Sequence, residues 1–532
     1  MIMGGVLVGI EGRLVGVEVS MRGGLPGIEI VGLAGRTVQE AARRVRSAMA
    51  ATGCRLPPRQ IVVSLTPADL PKHGASLDLA IAVGLLVATG HLASVPVSTS
   101  AFWGELGLDG LIRSAPGALP FAVAARKAGH TEVIVAPEDA DLASLAGIQV
   151  RVLRSLAELL ATGPRPAIPR AEQPVASIAL AKSERAFASI AGLAGPLRAA
   201  LITAAGGHHC CFLGPPGAGK SLLARSIHAL LPPPDGDELL EITAVAALGP
   251  ASAGGHQGPG LLPVAARPMR EPLTGISLGG LLGRGRPFMI GEASLAHRGL
   301  LVLDELGHHR SEVLTALCLC LDSHWVELRA DVTPLRVPAW FQLAATSNLC
   351  PCGRTGSAGA ACTCSATARS AFWRRLSGPL LDRLDLQVEV LGPDLYDLDG
   401  LHGSTQAAGH HHPVGPPSST PAGAGADGPG DRLAQHRAAV ARAWQRAADR
   451  YGKGLRNGTA SDSLVIAASA LSSHARDVLG DVHRELGLSA RGYLSVLRVA
   501  RTIADLAGQD GIAVEHVAEA AAYRTRRKQP AG

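Results

Sequence analysis

The segment Gly214-Pro215-Pro216-Gly217-Ala218-Gly219-Lys220-Ser221 follows an apolar run, "CCFL", and precedes a helical pattern, "LLARSIHALL". It matches G-x-x-x-x-G-K-[ST] in the strand–loop–helix setting that gives the motif meaning. A bound triphosphate needs backbone N–H groups close by, which Gly214, Gly217 and Gly219 permit. It needs the positive end of a helix, which Lys220 opens. Lys220 is expected to reach the β- and γ-phosphates, and the Ser221 hydroxyl to ligate Mg2+. With Pro215, Pro216 and Ala218 between the glycines, 214–221 is the expected ATP-binding loop.

About eighty residues later comes "GLLVLDELGHH". Gly299 to Leu303 reads as a buried strand, with Asp304 and Glu305 at its C-terminal end, where α/β sheets bind ligands. Asp304 suits magnesium and Glu305 suits polarising an attacking water as general base. His308 and His309 are expected to start the next helix rather than to bind metal. A further strand, "FQLAATS", ends in Asn348, a polar tip able to orient water beside a γ-phosphate. Arg383 lies between apolar stretches in "RLSGPLLDRLDLQVEV". In a ring such an arginine enters a neighbour's site and stabilises transition-state charge; a surface ion pair is the alternative.

Directly after Asn348, Cys350, Cys352, Cys362 and Cys364 form Cys-x-Cys, nine residues, Cys-x-Cys. Four thiolates at that spacing can close a tetrahedral Zn2+ site with no open position, hence a structural one. Free thiols, or an iron–sulfur or redox centre, are the other readings. Cys54, Cys210, Cys211, Cys318 and Cys320 are expected to be small buried side chains.

These residues need a scaffold. The 532 residues allow two to four domains, and 47% hydrophobic with 18% charged residues marks a globular chain. A formal charge of +6 permits a polyanionic partner without demanding one. No apolar run is long enough to span a membrane, and the start of the chain lacks a signal-peptide pattern. A cytoplasmic protein with reduced thiols is expected. Residues 1–160 read as an α/β domain, with strands "LVGVEVS" and "GIEIVGL" around a Gly-Gly-Leu-Pro-Gly turn and helices at "VQEAARRVRSAMAAT" and "SLDLAIAVGLLVAT". A proline-rich linker covers 161–184, a second α/β domain covers 185–399, and a Gly/Pro/His-rich insertion covers 400–430. Residues 431–530 read as all-helical. The three histidines at 410–412 suit a low-complexity tract better than a metal site.

Together "TPADLPKHGASLDLAIAVGLLVA", "GPPGAGKS", "GEASLAHRGLLVLDEL", the Asn348–cysteine segment, "RLSGPLLDRLDLQVEV" and "LSARGYLSVLRVARTIADLAG" resemble the YifB/ComM family of magnesium-chelatase-like AAA+ ATPases, over nearly the whole chain. The resemblance implies an α/β P-loop AAA+ core, a Lon-protease-like N-terminal domain and an all-α lid. It implies Asn348 as the first nucleotide sensor, Arg383 as a finger presented in trans and Arg491 as the second sensor on the lid, with Arg374 and Arg375 as further interface residues. It implies ATP and Mg2+ as cofactors, a homo-oligomer, a hexamer by family habit, and DNA as substrate of a branch-migration helicase. A chelatase-type motor acting on a protein partner, or an ATP-binding scaffold, are the alternatives.

The Lon-like domain raises peptide hydrolysis. Ser76 holds the serine-equivalent position, but Leu119 stands where that family's lysine is expected, so the reading is a domain without peptidase activity. The family's "RAPHH"-like segment reads "RPMREPLTGISLGGLLGRG" here, without the paired histidines. Arg267, Arg270, Arg284 and Arg286 are expected to make it a flexible basic loop suited to phosphate backbone or to solvent. Arg498 and Arg501 are expected to face solvent or the ATPase domain. The basic tail from Arg524 to Lys528 reads as a solubilising end that can touch DNA electrostatically.

Overall fold

The computed structural model describes all residues except 94–98, 168–177, 250–265, 286–287, 330–333, 357–360, 377–378, 392–428 and 525–532. The 400–430 insertion but for its end, residues 168–177 of the linker, Arg286 and the basic tail beyond Arg524 lie outside the described residues.

An eight-stranded sheet forms the N-terminal part, in the order Arg165–Pro166, Gln149–Val152, Glu132–Val135, Ser100–Trp103, Ile2–Val8, Glu11–Arg22, Gln60–Thr66, Gly27–Val31. Glu11–Arg22 and Gly27–Val31 are consecutive but not paired. Gln60–Thr66 lies between them, antiparallel to the first and parallel to the second. The Gly-Gly-Leu-Pro-Gly turn therefore joins separated strands. The helix Arg36–Ala51 carries the chain back for the parallel pairing, as a crossover must. Its inner face (Val38, Ala41, Val45, Ala48, Met49) is buried. Arg44 clamps the carboxylate of buried Asp78 with two hydrogen bonds, 2.6 and 2.9 Å, fixing this helix against Asp78–Ala88.

The central part is a five-stranded parallel sheet in the order Met269–Arg270, Leu300–Leu303, Gln342–Ser347, Cys210–Leu213, Leu386–Glu389. The three middle strands are buried on both faces, the condition that gives near-continuous apolar runs such as "LLVL". Because all strands run the same way, Gly214, Asp304 and Asn348 emerge at one edge. Two hairpins, Gly283–Gly285 with Phe288–Ile290 and Trp325–Leu328 with Leu335–Pro338, are added to this body.

The C-terminal helices are Pro429–Tyr451, Asp462–Ala467, Ser473–Leu486, Ala490–Leu506 and Val514–Ala522. Ser461, Ser472 and Ser489 each accept a backbone N–H three residues on, the N-cap that starts a helix. Ala490–Leu506 packs on Ala194–Gly206 of the central part, burying Leu497 and Ile503. Arg501 does not face solvent: it is fully buried, its guanidinium on the Gln509 and Asp510 carbonyls and on Asp505. A buried cation is tolerable because it is paired and hydrogen-bonded. At the junction, Asp385 accepts from Ser495 at 2.6 Å and pairs with His208 Nδ1 at 2.8 Å, while His208 Nε2 meets Thr502 at 2.8 Å.

Candidate nucleotide site and cysteine centre

The phosphate loop folds as its glycines dictate. Gly217 and Gly219 take φ of 80° and 86°, a left-handed backbone that side chains rarely adopt. A Cβ on Gly214 would stand 2.1 Å from the Val390 carbonyl oxygen, so only glycine passes there. Lys220 opens the helix Lys220–Leu230. Its ammonium donates to the carbonyls of Gly214 (2.8 Å) and Pro215 (2.7 Å) and to Asn348 Oδ1 (3.2 Å). Burial pulls the Lys220 pKa below its ordinary value, opposed by Asp304 and Glu305.

Ser221 Oγ lies 3.0 Å from both oxygens of Asp304. Thr346, at the end of the adjacent strand, donates to Asp304 Oδ1 and accepts from the Glu305 N–H at 3.1 Å. Glu305 has φ 53°, an unusual left-handed value for a non-glycine residue, and its half-exposed carboxylate turns out beside His308 at 3.5 Å. The histidines do not begin the following helix, which spans Ser311–Ser323. His308 closes a short 3-10 turn, and His309 Nε2 donates to the Asp304 carbonyl at 3.1 Å. Hydrogen bonds thus pair Lys220 with Asn348 and its neighbour Ser221 with Asp304, with Glu305 tied to Asp304 through Thr346. Thr346 was not singled out in the sequence; its place one strand over from Asp304 and two residues before Asn348 is the signal that could have found it.

Arg383 and Arg491 lie elsewhere. Arg383 grips Asp322 through both Nε (3.0 Å) and Nη2, and donates Nη1 to the Pro379 carbonyl at 2.7 Å. Arg491, half-exposed, reaches the same carboxylate at 3.5 Å. Burial alone would raise the Asp322 pKa, but the Arg383 hydrogen bond and both guanidinium charges outweigh it and lower it. Among the described residues, neither arginine hydrogen-bonds or ion-pairs with the Lys220 cluster of the same chain. Nothing local distinguishes Asp322 in the sequence.

The four cysteine sulfurs all lie within 4.8 Å of one another. Cys350–Cys352, Cys352–Cys362 and Cys350–Cys362 are 3.4, 3.7 and 3.6 Å apart. Tetrahedral zinc with Zn–S bonds of about 2.3 Å sets sulfurs about 3.8 Å apart, so the donor set fits that ion. The Thr355 N–H donates to Cys350 Sγ at 3.4 Å, and N–H groups of Arg354 and Thr363 draw the Cys352 thiol down to about 5. Such donors favour thiolate. The loop rests on the nucleotide site: a Cβ on Gly353 (φ 74°) would lie 3.0 Å from Pro216 Cγ and 3.8 Å from Asn348 Nδ2. Cys54, Cys210, Cys211, Cys318 and Cys320 are buried, as expected.

Two other expectations meet the structure here. Ser76 Oγ donates to the Gly5 carbonyl at 3.0 Å, while the buried Lys72 ammonium is held by the Leu65 and Pro67 carbonyls. No Ser76–Lys72 hydrogen bond exists among the described residues, and Leu119 is packed in an apolar cluster. Arg267 and Arg270 are not part of a free basic loop: Arg267 is buried on Glu238, and Arg270 pairs with Glu292 at 2.6 Å. Arg284 is exposed on the Gly283–Ile290 hairpin.

Strand order, phosphate loop, acidic strand end and helical C-terminal part define a P-loop protein with a chelatase-like AAA+ core. Family profiles agree: "Magnesium chelatase, subunit ChlI" matches residues 186–396, "Subunit ChlI of Mg-chelatase" 17–139, and "Magnesium chelatase, subunit ChlI C-terminal" 430–524. The chain is 34% identical over 528 residues to the competence protein ComM of Haemophilus influenzae, covering 97% of this chain and 95% of ComM. It is 33% identical to YifB of Escherichia coli and 34% to YifB of Salmonella typhimurium, at the same coverage. The chain belongs to the YifB/ComM magnesium-chelatase-like family.

Among the described residues no helix is long and apolar enough to cross a membrane.

Proposed function

We propose that this protein is a ring-forming, ATP-driven DNA motor, a hexameric branch-migration helicase of recombination or natural transformation, working in the cytoplasm. The observation that carries the reading is the division of the charged machinery. One cluster gathers Lys220, Ser221, Asp304 and Asn348; the other holds Arg383 and Arg491 on Asp322, with no hydrogen bond between the two sets among the described residues. A hydrolytic site that needs a guanidinium then takes it from a neighbouring copy, as closed rings allow. DNA as substrate is supported by the match of 97% of the chain to a competence protein.

In this reading, Lys220 exchanges the Gly214 and Pro215 carbonyls for phosphate oxygens, and the glycines present their N–H groups. Ser221 and Asp304 would hold Mg2+, which would neutralise charge on the phosphates. Glu305 accepts a proton from the attacking water, and Asn348 orients that water. Arg383 of the neighbouring copy, with Arg491 beside it, stabilises charge on the transferred group. The cysteine loop holds a structural zinc. Residues 1–160 form a Lon-protease-like domain without peptidase activity, a collar beside the ATPase domain (185–399) and the lid (431–530). The hairpin bearing exposed Arg284, Phe288 and Met289 is the element offered to the DNA backbone.

The test is ATP turnover with branched, duplex and single-stranded DNA, with Glu305→Gln as control. Branched DNA is expected to stimulate turnover most. Robust basal turnover that no DNA changes would favour the second reading, a chelatase-type motor acting on a protein partner, which the family profile supports. Nucleotide binding without any turnover would leave a scaffold.

A further inference from the structure

At the opposite edge of the parallel sheet, where its strands begin, a small cleft of about 40 Å³ opens between the central body and the C-terminal helices. Its walls include Arg267, Arg298, Arg456, Trp340, Trp444 and Glu238. At about 10–15 Å³ per water, that is room for a few waters or one small polar group.

Three guanidiniums meet there. Arg456 lies flat on Trp444, 3.4 Å from the ring centroid, with Arg267 at 4.9 Å from the same ring. Arg298 lies 4.3 Å over Trp340. Two carboxylates answer them. Glu238 is spent on Arg267, which also has the Pro232 and Arg298 carbonyls. Glu241 bonds Arg298 at 2.7 Å and is shared with His297. Arg456 is left short: its nearest carboxylate oxygen, Glu238 Oε1, is 3.6 Å away, and its Nη1 has only a 3.4 Å contact with the Gly454 carbonyl. Its Nε is buried without a hydrogen-bond partner, and so is Glu238 Oε1. Burial and the neighbouring Arg267 charge depress Arg456 to about 9. Leaving a cation so enclosed and under-paired is costly, and a second negative group relieves that cost.

The backbone adds a second sign. Arg298 has φ 59°, a left-handed value for a long side chain, stabilised where its N–H meets the Trp340 carbonyl at 2.7 Å and the Trp340 N–H meets His297 at 3.1 Å. Such strain persists where the surroundings enforce it, and it often marks a working position. Here it accompanies the guanidinium stacked on Trp340.

We propose that this cleft is a second anion site, separate from the phosphate loop, that takes a phosphate group on Arg456 and Arg298 between the faces of Trp444 and Trp340. The phosphate belongs either to a free phosphate compound or to a nucleic-acid backbone; the chemistry of recognition is the same, and experiment separates the sources.

Lys220→Ala protein, disabled at the phosphate loop, is titrated calorimetrically with inorganic pyrophosphate and, separately, with a single-stranded oligodeoxynucleotide lacking terminal phosphates. At least one is expected to bind, and to bind about tenfold more weakly when Arg456→Gln or Arg298→Gln is added. Arginine-dependent binding of pyrophosphate identifies a free phosphate ligand; of the oligonucleotide alone, a phosphodiester. If Arg456→Gln lacks a cooperative unfolding transition, the more peripheral Arg298→Gln decides. Binding of neither probe, or binding unchanged by the folded arginine variants, overturns the proposal.

Discussion

The two ends of the charged machinery are built differently. At the phosphate loop, each polar group already has its partner in the same chain: the Lys220 ammonium is buried among three acceptors, and Ser221 spans both oxygens of Asp304. At the other cluster, two arginines share one carboxylate that is 41% exposed, and Arg491 is itself half-exposed. The first is assembled by folding alone. The second joins a mostly covered Arg383, bidentate on Asp322, to a half-exposed Arg491, whose longer ion pair solvent weakens. In the proposed reading, that division is what repetition around a ring would use.

The largest expected effect breaks the first half. Glu305→Gln is expected to lower ATP turnover by about 10²–10⁴-fold with nucleotide binding kept, whereas Lys220→Ala loses binding as well; single-turnover and equilibrium binding assays separate them. Breaking the second half gives the sharpest contrast. Arg383→Ala is expected to cost about 10³-fold in turnover while nucleotide affinity of the isolated chain stays at the wild-type value. Mixing Arg383→Ala with Lys220→Ala chains should recover part of the activity, because some interfaces regain both halves; no recovery in an assembled ring would refute presentation in trans. Arg491→Gln, on the more exposed arginine, is expected to cost about tenfold by the same assays.

Smaller effects fall on the supports. Cys362→Ser should abolish stoichiometric zinc, read by a chromogenic chelator, and lower the thermal midpoint by about 5 °C. Asp385 links the sheet to the helix Ala490–Leu506 near Arg383. Burial would raise its pKa, but the His208 bond and charge and the Ser495 bond outweigh that and hold it at about 2. Its contribution to stability is therefore present above the ordinary 3.8 and is lost as pH falls from there through about 2. Asp385→Asn should flatten that part of an acid-unfolding curve and cost about 1–3 kcal/mol at neutral pH.

The nucleotide half was legible because its chemistry is written contiguously: glycines, lysine and serine in eight residues, an acidic pair closing an apolar run, an asparagine ending another. Parallel strands then bring those endings together automatically. The cysteine grouping was legible for the same reason. What escaped depends on partners distant in sequence. Asp322 gains its meaning only when Arg383 and Arg491 fold onto it, and Arg501 reads as a surface residue until Asp505 and the Gln509 and Asp510 carbonyls enclose it. The separation of Glu11–Arg22 from Gly27–Val31 by Gln60–Thr66 was hidden because a local turn signal cannot reveal a strand inserted from farther along.

Gly353 carries one more consequence. Its missing side chain lets the sulfur-bearing loop sit directly on Pro216, so the two loops form a single mechanical strut. If 214–221 cradles a triphosphate as proposed, whatever fixes or frees the four thiols would also shift its floor, and injury to the cysteines would be felt first as poorer capture of fuel.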